Sequence, residues 1–407
     1  MMPEPDPEGG MDQKPLERTL LDTVRGSGPV TFRQYMALCL YHPEHGYYAR
    51  GPERTGMRGD YFTSSDLHPL FARLLARQAA EMWEVLGRPA PFTWVEMGAG
   101  RGLFAQDFLQ WAANTEFGAT LNYVAIEPCE EARLQLMKRV SPDGRKTSFH
   151  VLANLEELAP ITGCLFSNEL VDAFPVSIVT RARGRLREIY ATAEGETLRE
   201  TLGPLSDAAV AAYVARYAHG LEEGHRMEVN LTAVEWIRSV ASKLPRGFVL
   251  TIDYGDLATR LYTADRPRGT LMAYRGHLAS EDFYCLPGEQ DLTAHVNFSA
   301  LINGGEQAGL NLTGFTTQER FLLALGEPNQ FADLYDQGQS EVARLDARLK
   351  LKRLIYPGGM GTIFKVLVQH KGITRPMLTG LKFGDEAAQN SRFSNSAVLR
   401  PDKPQTF

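Results

Sequence analysis

The sequence predicts an α/β fold, with a parallel sheet covered by helices on both faces and a smaller antiparallel insertion. Two observations support this prediction. After about residue 92, continuous apolar runs alternate with amphipathic stretches, which is typical of buried parallel strands joined by helices. Between residues 176 and 205 the apolar residues alternate with period two around the turn-forming Arg-Gly-Arg and Glu-Gly-Glu, which indicates antiparallel strands.

Length, composition and charge narrow the possible classes of function. The chain has 407 residues, 43% hydrophobic and 23% charged, which fits a globular protein of one elaborated domain or two. Its 43 basic and 49 acidic residues give a net charge of -6, whereas a protein that binds duplex nucleic acid usually carries a basic footprint. We therefore expect no nucleic-acid partner.

Cysteine usage and the first residues indicate the compartment. The four cysteines lie far apart and form no C-x-x-C pair, which favours reduced thiols and predicts no metal site. The start of the chain is acidic and rich in proline, unlike a secretory signal or a transit peptide. No window reaches the roughly 18 apolar residues that span a bilayer. We expect a cytoplasmic protein without a membrane span.

The sequence suggests three segments. Residues 1–90 are expected to form a helical segment packed on the sheet domain, because apolar residues recur there at helical intervals between turn signals. Residues 91–370 are expected to hold the parallel sheet, with the inserted lobe at about 176–245. Residues 371–407 are polar and lack periodicity, so we expect a flexible tail.

The strands of the sheet are expected at the continuous apolar runs. Amphipathic stretches between them, such as "LFAQDFLQWAA", are expected to be helices. In chain order the expected strands are "TWVEMG", "LNYVAIEP", "TSFHVLAN", "GCLFSNEL", "GFVLTIDYG", "NLTGFTT" and "IFKVLVQ".

A glycine-rich turn follows the first of these strands. Gly98, Gly100 and Gly102 stand on alternate positions between the apolar run and a helical stretch. Such a turn brings backbone N–H groups and the positive end of a helix to one point, which suits an anion or a polar cofactor. The dinucleotide fingerprint G-x-G-x-x-G is not met, because Leu103 stands where its third glycine belongs. A tight turn without a ligand is the structural alternative.

Acidic residues near the turn indicate the cofactor. Glu96 precedes the first glycine by two positions, and it would repel a pyrophosphate but suits the ammonium and sulfonium of S-adenosylmethionine (SAM). Glu127 ends the next strand, where a carboxylate can accept both ribose hydroxyls. Asn154 and Leu155 follow the third strand and fit a contact with the adenine edge and an apolar cover. The alternatives are a surface acid at Glu127 and a plain turn residue at Asn154.

Eight blocks of sequence match one protein family in order, and several of them are peculiar to it. They are "YHPEHGYYARG", "GDYFTSSDLHPLF", "VEMGAGRG", "SNELVDAFPV", "GTLMAYRGH", "PGEQDLTAHVNF", "TTQERFLLALG" and "MGTIFKVL". On these blocks the chain resembles the MidA-like family of SAM-dependent methyltransferases over roughly residues 30–370. Met97 and Ala99 depart from the Leu and Pro usual in the family, as do "TSSD" and "HVNF". The resemblance implies a Rossmann-like class I SAM-dependent methyltransferase fold, with SAM as the cofactor.

The resemblance also implies an acceptor, because mitochondrial members of the family assist assembly of respiratory complex I by methylating an arginine of a core subunit. A guanidinium stays protonated and delocalised at neutral pH, so carboxylates must hold it and orient the attacking nitrogen. In "SNELVDAFP" we expect Glu169 and Asp172 to be the catalytic carboxylates, and Asn168 to contact the cofactor. The alternative is that these side chains cap the turn.

Two other stretches add candidate site residues. In "GDYFTSS", Gly59, Asp60, Thr63 and Ser64 precede a helix start and are expected to bind the SAM carboxylate, with a plain capping box as the alternative. His295, in "TAHVNF", is expected to close the pocket or relay a proton. A loop histidine without such a role is the alternative.

The main hypothesis is therefore a SAM-dependent methyltransferase that modifies an arginine of a protein substrate. Two alternatives keep the fold: transfer to a small-molecule or nucleic-acid acceptor, and a SAM-binding assembly chaperone that transfers no methyl. Leu103 and Glu96 disfavour a nicotinamide oxidoreductase. The sequence leaves the acceptor, the methylated product and the oligomeric state open.

Overall fold

The computed structural model describes residues 14–50, 64–140, 147–218, 221–336, 338–356 and 359–384. Gly59, Asp60 and Thr63, three of the expected cofactor residues, lie outside these ranges. Within the ranges, no helix is both long enough and apolar enough to cross a membrane.

Strands and helices alternate along most of the described chain. The strands are β1 (Val30–Thr31), β2 (Phe92–Met97), β3 (Leu121–Ile126), β4 (Ser148–Leu152), β5 (Thr162–Asn168), β6 (Ser177–Ala182), β7 (Arg185–Glu194), β8 (Thr197–Gly203), β9 (Arg226–Val229), β10 (Arg246–Asp256), β11 (Met272–Arg275), β12 (Leu278–Ser280), β13 (Asp291–Thr293), β14 (Val296–Asn297), β15 (Asn311–Thr317) and β16 (Phe364–Lys371). The helices are α1 (Pro15–Ser27), α2 (Phe32–Tyr41), α3 (Ser64–Leu67), α4 (Leu70–Val85), α5 (Leu103–Ala112), α6 (Glu116–Thr120), α7 (Glu130–Arg139), α8 (Ala208–Tyr217), α9 (Leu231–Ser242), α10 (Ala258–Leu261), α11 (Phe298–Gln307), α12 (Gln318–Gly326), α13 (Glu341–Ile355) and α14 (Met360–Ile363).

The chain forms two compact units, each built from separate stretches of sequence. The smaller unit takes the described residues of Met1–Arg50, Pro175–Val229 and Ala264–Ala294. The larger unit takes those of Gly51–Phe174, Asn230–Thr263 and His295–Phe407.

The larger unit contains the parallel sheet that the apolar runs predict. Its strand order is β15-β16-β10-β5-β2-β3-β4, and the strands from β10 to β4 pair in parallel. Among the described strands in this order, only β16 runs antiparallel to its neighbours, β10 and β15. The α/β, Rossmann-like fold class is therefore confirmed.

Helices cover both faces of this sheet because its strands present apolar side chains on both sides. All six residues of β2 are buried, and successive residues point to opposite faces. Trp94 packs on one face with Phe104 of α5 and with Phe166 of β5. Val95 packs on the other face in the cluster that includes Ile237 of α9. Full burial of each such side chain contributes about 1.5–3 kcal/mol.

The smaller unit contains the expected antiparallel meander, in which β6 pairs β7 and β7 pairs β8. Strands β1 and β9 extend the same sheet in antiparallel pairs. Strands β12, β11 and β13 form a second antiparallel sheet. Helix α9, which lies within the expected lobe at 176–245, belongs to the larger unit. The segment limits expected from the sequence remain predictions.

The first part of the expected tail is packed against the larger unit. Leu378 is buried, and the Thr379 amide donates to both carboxylate oxygens of Glu81 at 3.0 Å. The Gly380 amide donates to Gln78 Oε1 at 3.0 Å. Such contacts hold the chain in place without any periodic pattern in its sequence. The flexible tail expected from residue 371 therefore does not include residues 371–384. Residues 385–407 lie outside the described ranges.

Candidate active site

The candidate site lies where parallel strands of the large sheet end side by side. Strands β10, β5, β2 and β3 are neighbours and run in the same direction, so their carboxyl ends meet at one edge. This edge is the usual ligand-binding edge of a doubly wound sheet. At this edge lie the glycine turn, Glu127, the segment 168–172, and the pair Asp253 and Tyr254, which stand in β10 just beyond its pairing with β5.

The backbone of the turn explains its three glycines. Gly98, Gly100 and Gly102 have φ angles of 75°, 51° and 76°, a region that residues with a side chain rarely adopt. A Cβ atom on Gly98 would lie 3.1 Å from Leu170 Cδ1, whereas one on Gly100 would meet no described atom within 4 Å. Helix α5 begins immediately after Gly102. The turn therefore presents an open space at Gly100, close to the start of a helix.

Glu127 holds this turn in place. Its Oε2 accepts a hydrogen bond from the Gly100 amide at 2.8 Å, and its Oε1 accepts one from the Cys129 amide at 2.9 Å. Burial raises the pKa of the Glu127 carboxyl, while these two donors oppose the increase. Each carboxylate oxygen has two lone pairs, so both can still accept a hydroxyl. The contact with the SAM ribose stays a prediction.

Glu96 lies deeper than Glu127. Its side chain is on the Trp94 face of β2 and is 5% exposed, and its Oε2 accepts a hydrogen bond from the Tyr123 hydroxyl at 2.6 Å. Burial raises the pKa of Glu96 to about 8, against the opposing effect of the Tyr123 hydrogen bond. The sequence interpretation missed Tyr123. The role of Glu96 toward the SAM amino group stays a prediction.

Asn154 and Leu155 lie after β4, on the far side of β3. The exposed Asn154 side chain accepts a hydrogen bond from the Glu157 amide at 3.2 Å and donates one to Glu157 Oε1 at 2.7 Å. Such local hydrogen bonds are typical of an asparagine in a turn. Leu155 is 9% exposed and belongs to the apolar cluster on the Val95 face. Both cofactor roles stay predictions, and the bonds of Asn154 match the turn alternative.

Glu169 occupies a strained position directly after β5. Its φ of 53° is uncommon for a residue other than glycine, and its amide donates to the Ile252 carbonyl of β10 at 3.0 Å. Its Oε1 accepts hydrogen bonds from the Ser64 amide at 3.0 Å and from Asn168 Nδ2 at 2.9 Å. Asn168 Oδ1 is buried and has no hydrogen-bond partner among the described residues. Strained residues are concentrated at functional sites.

Asp253 fixes the segment that follows Glu169. Its Oδ2 accepts from the amides of Leu170, Val171 and Asp172 at 3.2, 2.8 and 3.3 Å. Burial raises the pKa of Asp253 well above its ordinary value, and the neighbouring Asp172 charge raises it further. We did not identify Asp253 from the sequence. Its signal was available, because "TIDYG" ends an apolar strand with an acid, as the strands of Glu96 and Glu127 do.

Asp172, Tyr254 and His295 form the other side of this network. The Tyr254 hydroxyl donates to Asp172 Oδ2, and the Tyr254 ring meets the His295 ring edge to face at a centroid distance of 5.4 Å. Burial raises the pKa of Asp172 to about 6, partly opposed by the Tyr254 hydrogen bond. The fold therefore brings His295 against Tyr254, whose hydroxyl binds Asp172, although Tyr254 was missed in the sequence. The catalytic roles of Asp172 and His295 stay predictions.

Ser64 is the one residue of the "GDYFTSS" candidates within the described ranges. It is fully buried, its amide donates to Glu169, and its hydroxyl donates to Gln318 Oε1 at 3.4 Å. Both polar groups therefore bind within the protein. A contact between Ser64 and the SAM carboxylate stays a prediction.

The arrangement can bind a polar cofactor and a cation next to each other. The glycine turn offers backbone N–H groups and open space, and the Glu169 segment (residues 168–172) carries the two carboxyl groups of Glu169 and Asp172. Leu170 connects the two, because its side chain lies beside Gly98. No group of three or more His, Cys, Asp or Glu residues within the described ranges is placed to hold a metal ion.

Comparison with solved structures agrees with this geometry. A COG1565 superfamily member from Burkholderia thailandensis, bound to S-adenosyl-homocysteine, is 30% identical, with a TM-score of 0.84 over 96% of this chain and 100% of that chain. A second crystal structure of a protein of that superfamily, also from B. thailandensis, is 30% identical and has a TM-score of 0.80 over the same shares.

Comparison with curated proteins finds relatives over most of the chain. The protein arginine methyltransferase NDUFAF7 homolog, mitochondrial, of Drosophila melanogaster is 25% identical over 88% of this chain and 85% of its own length. The human mitochondrial protein arginine methyltransferase NDUFAF7 is 25% identical over 94% of this chain and 88% of its own length. Residues 74–316 match the family model described as an S-adenosyl-L-methionine-dependent methyltransferase, Methyltransf_28. The chain therefore belongs to the MidA-like family of SAM-dependent methyltransferases, with SAM as its cofactor.

Proposed function

We propose that this methyltransferase transfers the methyl group of SAM to an arginine side chain of a protein substrate. The names of the curated relatives support an arginine acceptor. The observation that carries the proposal is the position of Glu169, which follows a central strand at the cofactor edge and is held in an uncommon backbone conformation.

The chemistry of arginine explains why a fixed carboxylate is needed. SAM, when bound, supplies an electrophilic methyl group, and the protein must direct one guanidinium nitrogen toward it. A carboxylate that pairs with the other nitrogens keeps positive charge on them and orients the attacking one. Glu169 Oε1 is held by Ser64 and Asn168, so the plane of its carboxylate is defined before the acceptor arrives.

Asp172 and His295 are proposed as supporting groups. A guanidinium near Asp172 would favour its ionised form and lower its pKa from the raised value of about 6. The nitrogen must lose a proton when it becomes methylated, and Asp172, linked to Tyr254, is a suitable acceptor. His295 contacts the Tyr254 ring and would close the pocket or pass the proton on.

The cofactor roles follow the geometry of the glycine turn. We propose that Gly98, Gly100 and Gly102 allow SAM to approach the backbone and that Glu127 accepts its ribose hydroxyls. Glu96 would face the SAM amino group, directly or through water. Asn168 would use its buried Oδ1, which has no partner among the described residues, toward a donor of the ligand. Gly59, Asp60, Thr63, Asn154 and Leu155 remain the other proposed cofactor residues.

The proposed partner is a protein, with no nucleic acid involved. The family resemblance suggests a subunit of a respiratory complex, so a role in complex I assembly is proposed. The curated relatives are named as mitochondrial, whereas we propose a cytoplasmic place of action for this chain. The free thiols of Cys39, Cys129, Cys164 and Cys285 suit a reducing compartment.

The experiment uses methyl-labelled SAM and a lysate from cells that lack the gene. Purified protein should label a small set of polypeptides, and mass mapping should place the label on arginine. The Gly100→Val protein serves as the control for labelling by other enzymes. Label found in small molecules or nucleic acid would favour the other acceptors, and SAM binding without any labelling would favour the chaperone alternative.

A further inference from the structure

Behind Glu169, the buried side chain of Gln318 has no role in the proposed chemistry so far, and that of Ser64 enters it only through its backbone amide. Ser64 and Gln318 are both fully buried. The Ser64 hydroxyl donates to Gln318 Oε1 at 3.4 Å, and Gln318 Nε2 donates to the Leu354 carbonyl of α13 at 3.3 Å. Buried polar groups usually persist only when they are paired, as these are.

The hydrogen bonds have a single consistent direction. The Leu354 carbonyl can only accept, so the Gln318 amide must turn its NH₂ group toward it. This leaves Oε1 facing Ser64, whose hydroxyl therefore donates. The opposite orientation of the amide would place two acceptors together at Leu354. The orientation of the Gln318 side chain is thus defined by its surroundings.

This chain of bonds ends at Glu169. The amide of Ser64 donates to Glu169 Oε1 at 3.0 Å, so the place of Ser64 sets the place of that oxygen. Ser64 begins the short helix α3, and α3 packs against α13. Glu169 itself has a φ of 53°, a conformation that the surrounding contacts must hold.

We propose that Ser64 and Gln318 are positioning residues that fix the Glu169 carboxylate for the acceptor arginine. The inference rests on the proposed function, in which Glu169 binds the guanidinium. It assigns Ser64 to the acceptor side of the site. Gln318 touches neither cofactor nor acceptor and acts only through Ser64.

The test replaces Gln318 by Met, which keeps the length of the side chain and removes both hydrogen bonds. Methyl transfer at saturating acceptor, kcat, should fall roughly tenfold or more, because a misplaced carboxylate orients the guanidinium poorly. SAM affinity, measured by calorimetric titration, should change less than about twofold, since the glycine turn is untouched. Ser64→Ala, which removes only the hydroxyl, should lower kcat in the same direction and provides a variant with less risk to folding.

Gln369→Met is the matched control. Gln369 is also fully buried in the larger unit, and its Nε2 donates to the Ile302 carbonyl at 3.3 Å, the same distance as in the Gln318 bond. Both substitutions remove a buried amide from a backbone carbonyl. The control should leave kcat and SAM affinity unchanged. An equal loss of kcat in both variants would mean that Gln318 acts only on stability and would overturn the proposal.

A double-mutant cycle separates the positioning role from the proposed function. If Gln318 acts through Glu169, Gln318→Met should have almost no further effect on kcat in the Glu169→Gln protein. A Gln318→Met effect that is the same in both backgrounds would overturn the positioning role alone. Undiminished transfer by Glu169→Gln would instead contradict the assignment of Glu169 in the proposed function, and with it this inference.

Discussion

The glycine turn and the Glu169 segment lie on the same edge of the sheet but are stabilised in different ways. The turn is held by its own backbone and by Glu127, whose bond to Gly100 spans 27 positions of sequence. The Glu169 segment is held by Asp253 across 81 to 83 positions and by Ser64 across 105 positions. The part of the cofactor half formed by the glycine turn and Glu127 is thus close in sequence, whereas the acceptor half joins segments that are far apart in sequence. Substitutions should therefore affect the two halves separately.

The largest effect on SAM affinity is expected from Gly100→Val. Valine is strained at a φ of 51°, and its side chain would fill the open space beside the turn. SAM affinity should fall by about a hundredfold or more, equivalent to ~2.8 kcal/mol, as measured by calorimetric titration.

Gly195→Val is the matched control for Gly100→Val. Gly195 has a φ of 60° and equally open surroundings, but it lies in the hairpin between β7 and β8. Both variants should lose similar stability, and only Gly100→Val should lose SAM binding. Full SAM affinity in Gly100→Val would remove the turn from the cofactor site.

The next effect is expected from Glu169→Gln. The change removes the charge and keeps the shape, so it should cost methyl transfer about 2–5 kcal/mol if the guanidinium pair is buried. Asp172→Asn should cost less, because Asp172 is proposed as a supporting group, whereas Glu169 is proposed to hold the guanidinium. Steady-state kinetics with the labelled acceptor measure both. A larger loss in Asp172→Asn would exchange the proposed roles of the two acids.

Asp253 tests how the acceptor half is held together. Asp253→Ala leaves the amides of Leu170, Val171 and Asp172 without their acceptor, so the free energy of unfolding should fall by about 3 kcal/mol. Asp253→Asn retains an acceptor oxygen and should cost clearly less. Urea denaturation compares the two variants. Equal costs would mean that these amides do not depend on the Asp253 oxygen.

In the cofactor half, a further effect is the pH dependence of stability caused by Glu96. The folded protein raises its pKa from 4.5 to about 8, so the folded state binds a proton more tightly than the unfolded chain does. Its contribution to stability is complete below pH 4.5 and is lost as the pH rises to about 8, by ~1.4 kcal/mol per pH unit. Glu96→Gln should lack this slope. The difference between wild type and variant, from urea denaturation at pH 5 to 8, measures it, and identical slopes would show that Glu96 is ionised throughout.

The difference between the cofactor half and the acceptor half also explains which parts of the site could be predicted from the sequence. The positions of Gly98, Gly100 and Gly102 reveal a turn because backbone geometry is local, and an acid at the end of a buried strand, such as Glu127, indicates the edge of the sheet. The contacts of Asp253 and Gln318 could not be predicted, because no pattern within either segment identifies a partner that distant strands bring near.

The packing of residues 372–384, within the expected tail, could not be predicted for a related reason. Residues 372–384 lack the periodicity of a helix or strand, yet Leu378 is buried and Thr379 binds Glu81. Their order comes from contacts with α4, which lies almost 300 positions earlier in the sequence. Low periodicity indicates the absence of a regular element, but it does not indicate the absence of packing.

The most direct test of the account measures SAM affinity and methyl transfer to arginine on the same samples of wild type, Gly100→Val and Glu169→Gln. We expect Gly100→Val to lose both SAM affinity and methyl transfer. We expect Glu169→Gln to keep the SAM affinity of the wild type while losing methyl transfer. Transfer by Glu169→Gln at the rate of the wild type, or a loss of SAM affinity as large as its loss of transfer, would contradict the separation of the site into a cofactor half and an acceptor half.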